Sequence, residues 1–284
     1  SMENIIIKNE FLKAEISPKG AELVSVYKGQ ENFLWEIDRN FWDKTSPVLF
    51  PIIGGLKNDS YEFEGQKYQL PRHGFARECE FEITEKTEDS ATFNLIYSKE
   101  TLEIYPFEFT LCIQFYLIVN KLFIKYIVSN ASSKKMYYSI GAHPAFSIVG
   151  DIENYSLEFD QSENLITHKL SDNLFSGEMK EVALEGEILP LNYSLFEQDA
   201  IVLKNTTTSN LTLLKNKVPK LKVSFPDFPY LGIWTKKNAP FICIEPWLGL
   251  ADSHQVSGKI EEKEGILALE QNSIQSHEWS VEFF

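Results

Sequence analysis

Two short stretches of the sequence place a titratable side chain directly before a proline. SIGAHPAF contains His143 before Pro144, and FICIEPWLG contains Glu245 before Pro246. A residue that precedes proline is held extended, and proline cannot donate to a sheet ladder. We therefore expect both side chains at a strand end or sheet margin, where they can face a cleft. An imidazole and a carboxylate are groups that general acid/base catalysis uses.

Each residue also has a structural interpretation. His143 is equally compatible with a core histidine that is hydrogen-bonded to backbone, and Glu245 with a carboxylate in an ion pair at a sheet rim. Glu245 is the less ordinary of the two, because glutamate is almost never fully buried unless it is paired. Burial would raise the pKa of its carboxyl group and make it a better base near neutral pH.

A third stretch, LPRHGFAR, places His73 beside Gly74 and between Arg72 and Arg77. Glycine permits a special turn or a close backbone approach, so we expect His73 in a loop. Loops carry a large share of binding residues. Taken alone, the stretch is equally typical of a structural or solvated loop histidine.

The elements that must position these residues are strands. Apolar residues alternate through FEFTLCIQFYLIV (107–119), and a second apolar run, LFIKYIVSN (122–130), follows Asn120 and Lys121. The pair predicts a long antiparallel hairpin. Short runs of the same kind recur from residue 4 to residue 284, and helical periodicity is nearly absent.

This pattern predicts an all-β fold of antiparallel sheets packed as a large sandwich or barrel. No change in composition marks a domain boundary, so we expect one domain over residues 1–284. The segment from about 161 to 195 is the most polar and least regular. We expect it to form a long excursion over one face.

Charge and composition restrict the ligand. The net charge is -14, and no basic cluster exceeds a local pair, which argues against nucleic acid and against anionic membranes. A small, largely neutral ligand fits best. The N-terminal stretch lacks the pattern of a signal peptide, and no apolar run reaches membrane-spanning length. We expect a cytoplasmic protein.

Cys79, Cys112 and Cys243 are few and widely spaced. They cannot form a fully paired disulfide framework, and they lack the close spacing of a zinc site. All three lie in strand-like runs, so we expect free, buried thiols in strands.

Together these stretches resemble the aldose 1-epimerase (galactose mutarotase) superfamily, specifically its LacX-like branch. The resemblance rests on five blocks in family order, which are FPIIGGLKNDSYEFEGQKYQLPRHGFAR (50–77), SIGAHPAF (139–146), LFEQDAIVLKN (195–205), FPDFPYLGIWT (225–235) and CIEPWLG (243–249). It implies a β-sandwich of the galactose mutarotase type with a sugar cleft on one sheet.

The resemblance also implies roles for single residues. Glu245 matches the general base that removes the proton of the anomeric hydroxyl, and His143 matches the general acid at the ring oxygen. His73 matches the other active-site histidine, which contacts the sugar and assists at the ring oxygen. Asp199 matches a carboxylate that holds ring hydroxyls. Such a reaction needs no cofactor and no metal.

One departure from the family pattern concerns substrate range. The family commonly has an arginine after the FPIIG-type run, whereas this sequence has Gly55. A guanidinium that would hold a hydroxyl or a charge is missing there. Lys57, Arg72 and Arg77 are the candidates to replace it. The expected substrate is an aldohexose, with a neutral sugar slightly favoured and a phosphorylated one open, and the oligomeric state is open as well.

Aromatic residues could supply flat walls for a sugar. Trp247 lies two positions after Glu245, and an extended backbone would put both side chains on one face. The other candidates are Phe75, Phe146, Phe228, Tyr230 and Trp234. Filling of a sandwich core is the alternative role for such residues, above all for Phe146 and Trp234.

Three other functions compete with an isomerase. His73, His143 and Glu245 have the composition of a facial triad for non-haem iron, but their positions are scattered. Asp199 and Glu245 could form the carboxylate pair of a glycosidase, which needs no histidines. A non-catalytic sugar-binding module on the same fold is the third. The sequence favours the sugar 1-epimerase.

Overall fold

The computed structural model describes residues 3–284, and its secondary structure is almost entirely strand. Its described residues form 24 strands, and the one α-helix among them, α1, spans Lys99–Ile104. The strands in chain order are β1 Ile5–Lys8, β2 Lys13–Ser17, β3 Glu22–Lys28, β4 Glu31–Asn32, β5 Ser60–Phe63, β6 Gln66–Gln69, β7 Glu82–Lys86, β8 Ser90–Ile96, β9 Phe109–Ile118, β10 Lys121–Asn130, β11 Met136–Tyr138, β12 Ile140–Gly141, β13 Ala145–Ser147, β14 Tyr155–Phe159, β15 Leu165–Ser171, β16 Leu174–Val182, β17 Ile188–Pro190, β18 Ile201–Lys204, β19 Asn210–Lys215, β20 Val218–Ser224, β21 Tyr230–Trp234, β22 Phe241–Leu248, β23 Leu267–Leu269 and β24 Ile274–Phe283. Short 3-10 helices span Lys57–Asp59, Ala76–Glu78, Ile152–Asn154, Tyr193–Phe196 and Ile260–Glu262.

Two sheets form the body of the molecule. The larger has nine strands in the order β17-β14-β19-β20-β24-β10-β9-β8-β7. The smaller has the order β12-β22-β21-β18, and β13 pairs with the same strand β22. Within residues 3–284, the strand pairs of both sheets are antiparallel. The prediction of a large antiparallel β-sandwich is confirmed.

The main core lies between these two sheets. Alternate residues of β9 from Phe109 to Leu117 are buried in it, as the alternating sequence predicts. Ile242 and Ile244 of β22 join the same core from the smaller sheet. All eight residues of β22 are nevertheless buried. This strand is therefore covered on both faces, which explains why its sequence shows no alternation.

The predicted hairpin of β9 and β10 is present, with its turn one residue earlier than expected. Lys121 pairs with Ile118, so the two turn residues are Val119 and Asn120. Val119 has a φ of 54°, a left-handed conformation that β-branched residues adopt rarely.

The polar excursion is more regular than expected. Its first part is an antiparallel hairpin of β15 and β16, closed by a two-residue turn at Asp172 and Asn173. Both turn residues have positive φ, 53° and 67°, which is the signature of a type I′ turn. The Thr167 hydroxyl accepts a hydrogen bond of 3.0 Å from the Val202 N–H, which joins the hairpin to β18 of the smaller sheet.

Within residues 3–284, no helix has the length and apolar content needed to cross a bilayer.

Candidate active site

His143 and Glu245 lie directly opposite each other on neighbouring segments of the smaller sheet. One edge of β22 is paired first with β12 and then with β13, in the same register. Continuing that register through residues 142–144 places His143 opposite Glu245. Two residues a hundred positions apart therefore meet because one sheet ladder aligns them.

The two prolines explain why this pair faces a cavity rather than filling a regular ladder. Ala142 N–H donates to the Pro246 carbonyl at 3.0 Å, and Ile244 N–H donates to the Pro144 carbonyl at 3.4 Å. In each case proline removes the second hydrogen bond of a pair that would otherwise have two. The pair between them is of the non-hydrogen-bonded type, in which opposite side chains approach most closely.

The side chains of the pair are in direct contact and buried. His143 Nε2 lies 3.2 Å from Glu245 Oε1, and the side chains are 10% and 2% exposed. Burial raises the pKa of Glu245 to about 8, although the charge of Arg72 acts in the opposite direction. Burial lowers the pKa of His143 to about 3. The rings of Trp42 and Trp234 pack beside the imidazole of His143, with centroid distances of 5.0 and 5.6 Å.

These pKa directions describe one coupled pair. Between the two pKa values the pair carries a single proton and no net charge. Burial favours this state over the doubly protonated and the fully deprotonated pair, because each of those carries a net charge in a medium of low dielectric constant. The contact between Oε1 and Nε2 gives the proton a direct path between carboxyl group and imidazole.

His73 approaches the pair from a turn. It is the third residue of the turn from Pro71 to Gly74 and has a φ of 66°, a conformation that non-glycine residues rarely adopt outside special sites. The Gly54 N–H donates to His73 Nδ1 at 2.9 Å, so the hydrogen of the neutral ring is on Nε2. Burial lowers the pKa of His73 well below its usual value. The site thus holds a neutral N–H donor, with ring centroids 5.8 Å from His143.

All three side chains line one cavity of about 220 Å³. Pockets for drug-sized ligands typically hold about 300–1,000 Å³, so this cavity suits a single sugar ring better than a larger ligand. Five other residues that the sequence analysis named also line it, namely Arg72, Arg77, Asp199, Trp234 and Trp247.

Trp247 is held flat against the sheet by two glycines on the neighbouring strands. A Cβ atom at Gly141 would lie 2.8 Å from Trp247 Cδ1, and one at Gly232 would lie 2.6 Å from Trp247 Cζ2. Such separations are too short for any side chain. The indole therefore occupies space that these two positions leave free, on the same face of β22 as Glu245.

Phe146 and Lys57 were both expected to bind the substrate, and neither lines the cavity. Phe146 pairs with Ile242 and is buried in the main core between the sheets, so its ring faces away from the site. Lys57 is exposed, and its backbone N–H donates to Asp252 Oδ2 at 2.9 Å. Of the three cations considered as replacements for a side chain at Gly55, only the arginines border the cavity.

The aromatic wall differs in part from the expected one. Trp234 lines the cavity, as does Trp42, which the sequence did not single out. Phe75 and Phe228 are in the main core, and Tyr230 packs beside a smaller apolar cluster on the cavity side of the sheet.

The tip of the β15–β16 hairpin supplies a wall that sequence reasoning missed. Leu170, Asn173 and Phe175 line the cavity from this element. The Asp-Asn dipeptide at 172–173 is the available signal, since such pairs favour two-residue hairpin turns. Nothing in the local sequence shows that this turn reaches the sugar-sized cavity.

Unpaired buried polar atoms are concentrated at this cavity. Among residues 3–284, four buried side-chain polar atoms lack a hydrogen-bond partner. Three of them are His143 Nδ1, Glu245 Oε2 and Trp247 Nε1, which belong to cavity residues. Each such atom costs about 1–3 kcal/mol. Their clustering is typical of a site that a polar ligand completes.

The metal-ligating groups at this site differ from the facial triad that the sequence suggested. The ligand atoms of His143, Cys243 and Glu245 lie within 4.8 Å of one another. His73 is outside this group. Cys243 is a free, buried thiol, and burial raises its pKa well above the usual value, which disfavours the thiolate that a metal requires.

Comparison with known proteins agrees with this geometry. The sequence model described as aldose 1-epimerase matches residues 3–263. The chain is 36% identical over 275 residues to the plasmid-encoded protein LacX of Lactococcus lactis subsp. lactis, covering 91% of this chain and 92% of that protein.

Two solved structures have the same fold over nearly their whole length. A galactose mutarotase related enzyme from Lactobacillus acidophilus has a TM-score of 0.93 at 31% identity, covering 99% of this chain and 97% of that one. A galactose mutarotase-like protein from Lactobacillus casei has a TM-score of 0.94 at 30% identity, with 99% and 100% covered. The chain therefore belongs to the aldose 1-epimerase family.

Proposed function

We propose that this protein interconverts the α and β anomers of an aldohexose by opening and closing the sugar ring. The observation that supports this most directly is the buried contact of 3.2 Å between Glu245 and His143 in a cavity of monosaccharide size. The two oxygens that exchange protons in this reaction, O1 and O5, are bonded to the same carbon. A base and an acid that serve both oxygens must therefore lie side by side, as these two side chains do.

Ring opening begins with the proton of the pair on His143 and Glu245 as carboxylate. Glu245 takes the proton of the O1 hydroxyl, the O1–C1 bond becomes a carbonyl, and the C1–O5 bond breaks. His143 gives its proton to O5. One proton enters the carboxyl group and one leaves the imidazole, so the charge balance of the pair is preserved.

Ring closure reverses these roles. Rotation about the C1–C2 bond of the open-chain aldehyde presents the other face of the carbonyl to O5. His143 takes the O5 proton as O5 attacks C1, and Glu245 returns a proton to O1. Each well-placed acid or base contributes about 10² to 10⁴ in rate, and holding the sugar between them adds a proximity contribution.

The other cavity residues bind and orient the sugar. The Nε2–H of His73 is available to donate to the ring oxygen or a neighbouring hydroxyl, because Nδ1 already accepts from Gly54. Asp199 offers a carboxylate to ring hydroxyls. Trp42 and Trp234 present apolar ring faces, which suit the C–H faces of a pyranose.

The test is two-dimensional NMR exchange spectroscopy of α and β anomers with and without the protein. The panel includes D-galactose, D-glucose and their 6-phosphates. Phosphorylated sugars are included because, within residues 3–284, Arg72 and Arg77 form no ion pair yet border the cavity.

Accelerated exchange for at least one aldohexose is the expected result. Binding of a sugar without any acceleration would overturn the proposal and leave a sugar-binding module.

A further inference from the structure

The two turn residues at the tip of the β15–β16 hairpin lie in different surroundings. Asp172 and Asn173 both have left-handed backbone conformations and both are exposed. Asn173 borders the cavity, and Asp172 does not. A single turn thus has one residue at the sugar-sized cavity and one residue outside it.

The tip of the hairpin packs directly against Gly55. A Cβ atom at Gly55 would lie 3.3 Å from the Asn173 carbonyl oxygen and 3.5 Å from Asn173 Cβ. A Cβ atom at position 55 would press on the Asn173 carbonyl and require the turn to shift by a few tenths of an ångström, and a longer side chain would need more room. The small residue at 55 and the hairpin tip therefore belong together, and Asn173 reaches the cavity because Gly55 lets the tip pack closely.

Backbone hydrogen bonds fix the tip in this place. The Phe175 N–H donates to the Asp252 carbonyl at 2.9 Å, and the Asp252 N–H donates to the Gly55 carbonyl at 2.9 Å. The Asp252 carboxylate is itself held by a buried ion pair of 2.7 Å with Lys263. The wall that carries Asn173 is therefore anchored to the loop beneath it.

The carboxamide of Asn173 can both donate and accept hydrogen bonds. It offers two donors and one acceptor, whereas Asp199 and an ionised Glu245 only accept. Within residues 3–284, the Asn173 side chain makes no hydrogen bond that meets the usual distance and angle limits. It is thus free to pair with a sugar hydroxyl, which is both donor and acceptor.

We propose that Asn173 is a sugar-binding residue that selects the hydroxyl pattern of the substrate, in the place where a side chain at position 55 would otherwise act. The proposal rests on the proposed function, because the ligand it assigns is the aldohexose of that reaction. Asn173 binds the sugar and takes no part in proton transfer.

The test compares two matched variants, Asn173→Gly and Asp172→Gly. Glycine adopts the left-handed conformation freely, so each variant keeps the turn and removes one side chain. Asn173→Gly is expected to raise KM for D-galactose and D-glucose by about tenfold, the equivalent of one good hydrogen bond, with kcat within about twofold of the unchanged protein. Asp172→Gly is expected to leave both constants unchanged.

Deoxy sugars identify the hydroxyl. The 2-, 3-, 4- and 6-deoxy forms of D-glucose are measured with the unchanged protein and with Asn173→Gly. One deoxy sugar is expected to raise KM in the unchanged protein but to have no further effect in Asn173→Gly. Equal effects in both proteins for all four sugars would overturn the assignment, as would equal KM values for the two glycine variants.

Failure of the proposal and failure of the proposed function give different results. If the unchanged protein does not accelerate anomer exchange, the proposed function fails. Asn173 is then tested by sugar binding alone, followed through the fluorescence of Trp42, Trp234 and Trp247 at the cavity. Equal dissociation constants for the two glycine variants in that titration would overturn the inference.

Discussion

At neutral pH the pair of Glu245 and His143 carries one proton, whereas a free glutamate and a free histidine would both be largely deprotonated. Its one proton is retained between a His143 pKa of about 3 and a Glu245 pKa of about 8. Loss of that proton removes the acid of the reaction, and gain of a second removes the base.

The pH dependence of kcat/KM follows from this range. We expect a constant value from pH 5 to pH 7 and a decline as the pH rises through about 8, approaching tenfold per pH unit. The measurement is the anomer exchange rate by NMR, corrected for the uncatalysed rate at each pH. An acidic decline centred near pH 6, as for an ordinary histidine, would contradict the lowered pKa of His143.

Stability should depend on pH in the same interval. The folded pair keeps its one proton up to a pKa of about 8, whereas in the unfolded chain the glutamate loses its proton near 4.5 and the histidine near 6.5. The folded pair therefore binds more protons than the unfolded pair between pH 6.5 and about 8, and stability falls as the pH rises through this range.

Glu245→Gln removes this dependence, because the amide is neutral at every pH. At pH 7.5 we expect the variant to be more stable than the unchanged protein by up to about 4 kcal/mol, because this pH lies about three units above the unfolded pKa of 4.5 and each unit corresponds to about 1.4 kcal/mol. The advantage should shrink toward pH 5. Urea unfolding at both pH values measures it, and a destabilised variant at pH 7.5 would show that the carboxylate contributes favourably to the fold.

At the scale of residues, the sequence predicted the two members of the buried pair better than the walls of the cavity around them. His143 and Glu245 were identifiable because each precedes a proline, which is a local signal. Trp42 and Asn173 were not, because their place at the cavity depends on how distant segments pack. Phe146 is as apolar as an aromatic residue that stacks on a sugar. Only the register of β13 shows that its ring faces the core.

Among the elements, β22 depends on the glycines beside it. Gly232→Ala would place a Cβ atom 2.6 Å from Trp247 Cζ2. We expect a loss of about 1–3 kcal/mol in the free energy of unfolding, as is usual for overpacking. Trp247→Phe removes the atoms in question, so the double variant should lose less than the sum of the single variants. Strictly additive losses in urea unfolding would contradict this packing.

The strands could be predicted where one face meets water and the other the core. Alternation located β9 and β10 closely, although their turn lies one residue early. The eight buried residues of β22 carry no alternation, and the β15–β16 hairpin has little apolar content to mark it. In both cases the covering element lies far away in the chain.

At the scale of the whole molecule, strands from distant parts of the chain pack side by side around one core. β24, the last strand, lies in the middle of the nine-stranded sheet between β20 and β10. Its apolar side chains join the same core as those of β22. Pairings over such distances in sequence cannot be derived from local patterns, which is why the recurring strand pattern predicted a sandwich but not its strand order.

A continuous core predicts that residues 3–284 unfold as one cooperative unit. Differential scanning calorimetry should show a single transition with equal calorimetric and van't Hoff enthalpies. Two separable transitions would indicate two domains and would contradict the prediction of a single domain over residues 1–284.

The central claim concerns one carboxyl group and one imidazole, and anomer exchange by NMR tests it most directly. The unchanged protein is compared with Glu245→Gln, His143→Asn and the control Glu261→Gln, which makes the same chemical change at an exposed site. We expect the two cavity variants to lose about 10² to 10⁴ in kcat while remaining folded, and the control to keep full activity. Nearly full kcat in folded Glu245→Gln or His143→Asn would contradict the account.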